Sequence, residues 1–200
     1  MAYRQTQRVR KHLQGVRERL LRTAREVVAE RGFSALKVAS LAEQAGVATG
    51  TIYRHFPNKG ALCAEVFAVA SQREVDVLAE ALGAPGTVIE RLDVGLTLWC
   101  ERAQQGRVLA RALLTEPVDP AVEEARLRYR AAHAEVIAAV LREGIASGEL
   151  PEQDAELSAA GLVGALAEAV LGPFDKPREA GSTRSVVRFC LAAIRPGDPS

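Results

Sequence analysis

Long hydrophobic runs are missing from this sequence. The longest apolar stretch, Ala159–Ala167, is nine residues, against the ~20 that a membrane-spanning helix requires. No membrane association is expected. The first fifteen residues hold Arg4, Arg8, Arg10 and Lys11 but no apolar core segment, so a secretory signal is not expected and a cytoplasmic location is. Cysteine is scarce: Cys63, Cys100 and Cys190 stand alone, with no CxxC pair and no Cys/His cluster. That spacing fits neither a disulfide framework nor a zinc site, and all three read as small buried hydrophobes. Nucleophile–base spacing, metal-ligand clusters and glycine-rich phosphate loops are likewise missing. The chain is therefore read as a non-enzyme without metal or cofactor.

What is present is ordinary in composition and uneven in charge. Across 200 residues, 48% are hydrophobic and 26% charged, which excludes collagen-like, low-complexity and largely disordered classes. The net charge of +1 hides a division. Residues 1–60 carry 12 Lys/Arg against 4 Asp/Glu, a net +8; residues 61–200 carry 14 against 21, a net −7. A basic end on an acidic remainder suggests that one part meets a polyanion.

Apolar residues recur at three- and four-residue spacing, and β-branched alternation is absent, so the expected fold is all-α. A first helix is expected from Val16 to Arg31, with Leu20, Leu21, Ala24, Val27 and Val28 on one face, Gly32 at its end and Phe33 folding back. Short helices follow around Val38–Ala45 and Thr51–Phe56. A long one then runs from Asn58 to Leu82. The segment GAPG at 83–86 is the clearest linker. Further helices are expected near 87–103, 107–115, 120–147, 154–171 and 182–194, with a frayed tail from Pro196.

Function concentrates in Val38–Phe56. Two short helices joined by a glycine turn form a helix-turn-helix pattern, with Leu41, Ala42, Val47 and Ile52 as its small core. Thr49, Gly50, Thr51, Tyr53, Arg54 and His55 are left for an outer face without carboxylates, suited to a major groove. Lys59 follows the capping Asn58 in a first helical turn. A cation is locally unfavourable there unless a phosphate faces it.

The stretch from about Arg17 to Val66 resembles the DNA-binding domain of TetR-family transcriptional regulators. The resemblance rests on AERGF, LAEQAGV, GTIYRHF and PNKGAL. It implies an N-terminal three-helix helix-turn-helix domain followed by a larger helical effector-binding and dimerisation domain. The corresponding division is a basic arm at 1–15, a DNA-binding domain at 16–61 and the larger domain at 62–200. It also implies a homodimer on a palindromic double-stranded operator, acting as a repressor that a small-molecule effector releases. A ligand-independent DNA-binding or architectural protein is the alternative. Thr49, Gly50, Thr51, Tyr53 and His55 match recognition-helix positions, and Lys59 matches the phosphate-binding lysine. Lys37, placed with the DNA-facing set, stands where the family often has a capping Thr. Ala48 stands where Ser is common, so Thr49 is expected to cap the third helix. Ala39 replaces an arginine that sometimes contacts DNA.

In the remainder, the small residues of 154–171 and 182–194 (Gly161, Gly164, Ala165, Ala192, Ala193) permit close helix approach. The resemblance places the dimer interface at 154–194. Candidate effector contacts are Phe67, Trp99, Arg102, Tyr129 and His133, aromatic or polar groups at apolar helix faces.

Overall fold

A computed structural model describes residues 7–172 and 182–195. Among them every regular element is a helix. The N-terminal end comprises α1 (Gln7–Arg31), a short 3-10 turn (Phe33–Ala35), α2 (Val38–Gln44), α3 (Thr49–His55) and the start of α4 (Lys59–Leu82). There follow α5 (Val88–Gln105), α6 (Arg107–Leu114), α7 (Pro120–Ser147), α8 (Ala155–Leu171) and α9 (Ser182–Ile194).

Local chemistry marks where these helices begin. Asn58 Oδ1 accepts from the Ala61 N–H at 2.7 Å at the head of α4. Thr87 and Glu90 form a reciprocal capping box on α5. Asp119 accepts from the Ala121 N–H at 3.0 Å, with Pro120 in the first helical position of α7. Asp154 accepts from the Leu157 N–H at 2.9 Å on α8. Such side-chain caps each contribute about 1 kcal/mol by answering an otherwise unpaired N–H. At the other ends, Gly32 (φ 77°) and Gly148 (φ 78°) turn the chain through the left-handed region after α1 and α7.

Two expectations change. α1 begins at Gln7 rather than Val16, so residues 7–15 extend the helix instead of forming a separate arm. Val9 and Leu13 on this extension line a groove together with Gly46 and Val47, the turn between α2 and α3. Residues 1–6 and the tail from Pro196 lie outside the described residues. Thr49 does not cap α3: Ala48 holds that position without a side-chain bond, and Thr49 opens the helix itself.

The side chains bury themselves in two cores. One joins Leu20, Ala24, Val28, Phe33, Leu36, Leu41, Ile52, Phe56, Leu62 and Phe67 to Ala112, Leu113, Val122 and Ala125. The other joins Leu82, Leu92, Leu96 and Cys100 to Ile137, Leu141, Ala159, Leu166, Cys190 and Ile194. α4 runs through both, so the core beneath α2 and α3 reaches into α6 and α7 rather than stopping near residue 61. Cys63, Cys100 and Cys190 are all buried and unbridged. Burial pushes their thiols up, Cys100 to about 12, which leaves them inert apolar fillers.

The loop between α6 and α7 ties the two ends together. Glu116 accepts from the Phe33 N–H at 2.9 Å and the Ser34 N–H at 2.8 Å. Asp119 lies against Gly60, where a Cβ would stand only 2.6 Å from its carboxylate. A side chain at residue 60 would displace the Asp119 carboxylate from this position.

Candidate functional site

The helix-turn-helix is held from below by Leu41, Ala42, Ile52 and Phe56, each at most 3% exposed. Gly46 (φ 65°) makes the turn, and the Val47 N–H returns to the Ala42 carbonyl at 2.9 Å. This scaffold leaves Thr49, Gly50, Tyr53 and Arg54 exposed and Thr51 half-buried on α3. Lys37 and Lys59 are exposed at the starts of α2 and α4. Lys37 caps α2 without a side-chain bond, so its ammonium stays in solvent. The surface therefore offers hydroxyls and cations, with no carboxylate on α3. Such a surface suits phosphates and base edges.

His55 departs from this picture. It was expected on the outer face, but its ring is half-buried and its Nε2 is buried without a partner. The seven-residue helix turns this position towards α1, where it lines a groove together with His12 and Leu13. Burial lowers its pKa below the ordinary imidazole value, and the positive charges of Arg17 and Arg54 push the same way. A neutral, inward-facing His55 supports α3 from behind. Arg17 in turn spans Phe56, lying 5.2 Å from its ring centroid, and pairs with Glu65.

A cavity of about 380 Å³ lies between the two cores, walled by α4, α5, α6 and α7. All five candidate effector residues line it: Phe67, Trp99, Arg102, Tyr129 and His133. Phe67 stacks on Phe33 at 6.3 Å and meets Tyr129 at 6.1 Å. Trp99 and His133 pack edge to face at 6.5 Å. The size falls at the low end of small-molecule sites, and a mostly apolar wall with a few polar groups is their usual chemistry.

Several wall residues escape the sequence reading. Glu74 on α4 grips Arg102 with two bonds, at 2.8 and 2.6 Å, so Arg102 is a paired cation rather than one waiting for a ligand. Arg126 donates to the carbonyls of Leu113 (2.9 Å) and Glu116 (2.7 Å) and lies 5.8 Å from the Phe67 ring centroid. Arg130 is exposed at the rim. The α6 face Leu109, Ala110, Leu113 and Leu114 closes one side; its apolar spacing was legible, but what it faced was not.

His133 has a defined hydrogen-bonding state. Its Nδ1 lies 2.7 Å from the Tyr129 carbonyl oxygen, one turn back on α7. A carbonyl only accepts, so Nδ1 carries the proton and donates. Nε2 is then a bare acceptor, buried and unpartnered. Burial lowers the pKa of this imidazole, against weaker upward pulls from the Tyr129 carbonyl and the Glu74 carboxylate.

On α8 and α9 the small residues divide between two faces. Ala159 and Ala165 pack inward against the second core. Gly161 and Gly164 face open space, with nothing within 4 Å of an added Cβ. Leu157 and Phe189, exposed by 70% and 65%, stand on the same two helices. Among the described residues no helix is long and apolar enough to cross a membrane.

Comparison with known proteins places this geometry. Residues 20–66 match the model of bacterial regulatory proteins of the tetR family. The fatty acid metabolism regulator protein of Bacillus subtilis (strain 168) is 27% identical over 157 residues, covering 76% of this chain and 79% of that protein. The transcriptional regulator FadR from Bacillus subtilis, solved in complex with stearoyl-CoA, aligns at a TM-score of 0.74 and 24% identity. That alignment covers 89% of this chain and 99% of that one. RolR, solved with resorcinol, aligns at 0.70 and 20% identity over 92% and 90% of the respective chains. These solved structures share the fold.

Proposed function

We propose that this chain is a regulator of the TetR family, whose model matches residues 20–66, and that it is a homodimeric repressor released from a palindromic operator by a fatty acyl ligand with an anionic head. Thr49, Gly50, Thr51, Tyr53 and Arg54 face the groove, while Lys37 and Lys59 meet phosphates. The dimer forms through residues 154–194, and the protein acts in the cytoplasm.

One observation carries this reading: Phe67 belongs at once to the cavity wall and to the core that supports α2 and α3. A ligand that fills the cavity presses on Phe67, and Phe67 stacks on Phe33 where α1 gives way to the helix-turn-helix. A ligand-independent architectural protein has no use for that arrangement. The acyl class is supported by the apolar α6 wall, by the exposed guanidinium of Arg130 at the rim, and by the fatty-acid regulator among the relatives.

Linkage supplies the test. A ligand that favours the DNA-incompetent state must bind more weakly when operator is present, by the same factor by which it weakens operator binding. After an operator is selected from random DNA, stearoyl-CoA and shorter acyl-CoAs are titrated with and without it, following Trp99 emission. The expected shift is roughly 5–150-fold in both directions, the usual range of such coupling. Equal acyl-CoA affinity in the two titrations would show that these compounds are not inducers.

A further inference from the structure

We propose that Arg22, Arg25 and Arg73 form a phosphate-binding groove beside the cavity, so that the acyl ligand carries a phosphorylated head that joins α1 to α4. This rests on the acyl reading of the cavity and names the charge and the place of the ligand's head.

The argument begins at the seam between α1 and α4. Arg17 on α1 pairs there with Glu65 on α4. Eight residues further on, about two turns along each helix, stand Arg25 and Arg73. Both line one groove with Arg22, Glu26 and Val66, and both line a second with Gln72 and Asp76. Asp76 accepts from the Gln72 amide at 2.8 Å. Arg22 and Arg73 are exposed and Arg25 is half-buried. Among the described residues none of the three has a hydrogen-bond or ion-pair partner. The first groove, of about 390 Å³, has four arginines along its wall against two carboxylates. One of those carboxylates, Glu74, is already held by Arg102. That leaves three cations facing Glu26 alone. Cations so gathered repel one another until an anion enters.

Helical geometry sets the groove beside the cavity. On α4 the groove takes Val66, Ala70 and Arg73, and the cavity takes Phe67, Ser71 and Glu74. The two rows are one residue out of step, about 100° around the helix, so groove and cavity occupy adjoining faces of α4. Glu74, Arg102 and Leu109 line both. Tyr129 lines both the cavity and the second groove. A ligand with its chain in the cavity and its head in the groove has only the Glu74–Arg102 pair to pass.

The number of cations selects the head. A carboxylate is answered by one guanidinium, such as Arg130. A phosphate monoester carries about −1.5 to −2 charges and three acceptor oxygens, and arginine binds it with two parallel bonds. Two sources supply that chemistry on an acyl chain: the nucleotide phosphates of an acyl-CoA and the phosphate of a lysophosphatidate. Arg22 and Arg25 belong to α1, which shares the core beneath α2 and α3. A phosphate held between them and Arg73 therefore fixes the DNA-binding end against α4.

The experiment is calorimetric titration of the full chain with four probes. These are dodecanoyl-CoA, 1-dodecanoyl lysophosphatidate, S-dodecanoylpantetheine, which keeps the thioester without a phosphate, and CoA itself. The wild type should bind a phosphorylated acyl probe roughly tenfold or more tighter than dodecanoylpantetheine, as charged hydrogen bonds imply; which of the two it is identifies the source. Arg25→Gln with Arg73→Gln should abolish that preference and leave dodecanoylpantetheine binding unchanged. Arg22→Gln with Arg73→Gln, both at exposed positions, should reduce it without touching the fold. Arg25→Lys, which keeps the charge, should retain part of it. Equal binding of phosphorylated and phosphate-free acyl probes overturns the groove and leaves the acyl reading standing. A preference that survives both double variants also overturns the groove. So does a loss of operator affinity in those variants without ligand, since the arginines are then DNA contacts. If CoA binds through the arginines and the dodecanoyl chain adds nothing, the groove stands and the acyl reading falls. No binding by any probe overturns both.

Discussion

Gly50 is the second residue of α3, exposed, with nothing within 4 Å of where a Cβ would stand. Its backbone is not in the left-handed region, so the fold does not ask for glycine here. In an exposed helix glycine costs about 1 kcal/mol relative to alanine. The residue is explained if the helix backbone must come close to DNA, where one methyl group would hold it off. Gly50→Ala should therefore raise the melting temperature by about 2–4 °C, the shift expected from ~1 kcal/mol in a chain of this size. It should also weaken operator binding by about tenfold or more, on the scale of one good base contact. Thermal denaturation and operator titration on the same preparation check both halves. Unchanged operator affinity would take Gly50 out of the groove. His55 teaches the opposite lesson: the sequence placed it beside Tyr53 and Arg54, but on a seven-residue helix its position turns towards α1, and no local pattern reveals that.

At the scale of elements, the α6–α7 loop joins the cavity to the DNA-binding end. Glu116 receives the Phe33 and Ser34 N–H groups, and Arg126, on the cavity wall, holds the Glu116 carbonyl at 2.7 Å. Replacing Glu116 with alanine strands two donors, one of them on buried Phe33. Stability should fall by about 1–3 kcal/mol, the cost of leaving such a group unanswered. The ratio of ligand affinities measured with and without operator should move towards one. A ratio equal to that of the wild type would exclude the loop as the route of coupling. Elements of this kind are only partly legible in a sequence. Gly32, the capping Asn58 and the GAPG segment announced the end of α1, the start of α4 and the break before α5 because such signals act within a few residues. Arg102 and Glu74, 28 residues apart on different helices, gave no such signal. The start of α1 was misplaced too, since Val9 and Leu13 lie beside the α2–α3 turn across a groove that no local pattern announces. The five cavity candidates came together because aromatic and polar groups on apolar faces have few other places to go; their partners were set by packing alone.

For the whole molecule, the charge division and the outer faces of α8 and α9 point in one direction. The +8 end carries α2 and α3, and the −7 remainder carries the sign that a polyanion repels. Phosphate binding releases counterions, so operator affinity should fall ~10³–10⁵-fold between 50 and 200 mM salt if a dimer meets about six to ten phosphates. That magnitude depends on two heads acting together. On α8 and α9, Leu157, Gly161 and Phe189 are exposed and Gly164 is half-buried, and the open space at the two glycines permits close helix approach. Gly164→Arg and Phe189→Glu place charge and bulk on that surface without entering the core of the subunit. Both should sediment as folded monomers, lose most of their operator affinity, and show a salt slope about half that of the wild type, because one head meets half the phosphates. Ala165→Arg is the contrast: Ala165 is half-buried against the second core, so this change should lower the stability of the subunit itself. If Gly164→Arg and Phe189→Glu both remain dimeric with an unchanged slope, the two heads are joined elsewhere.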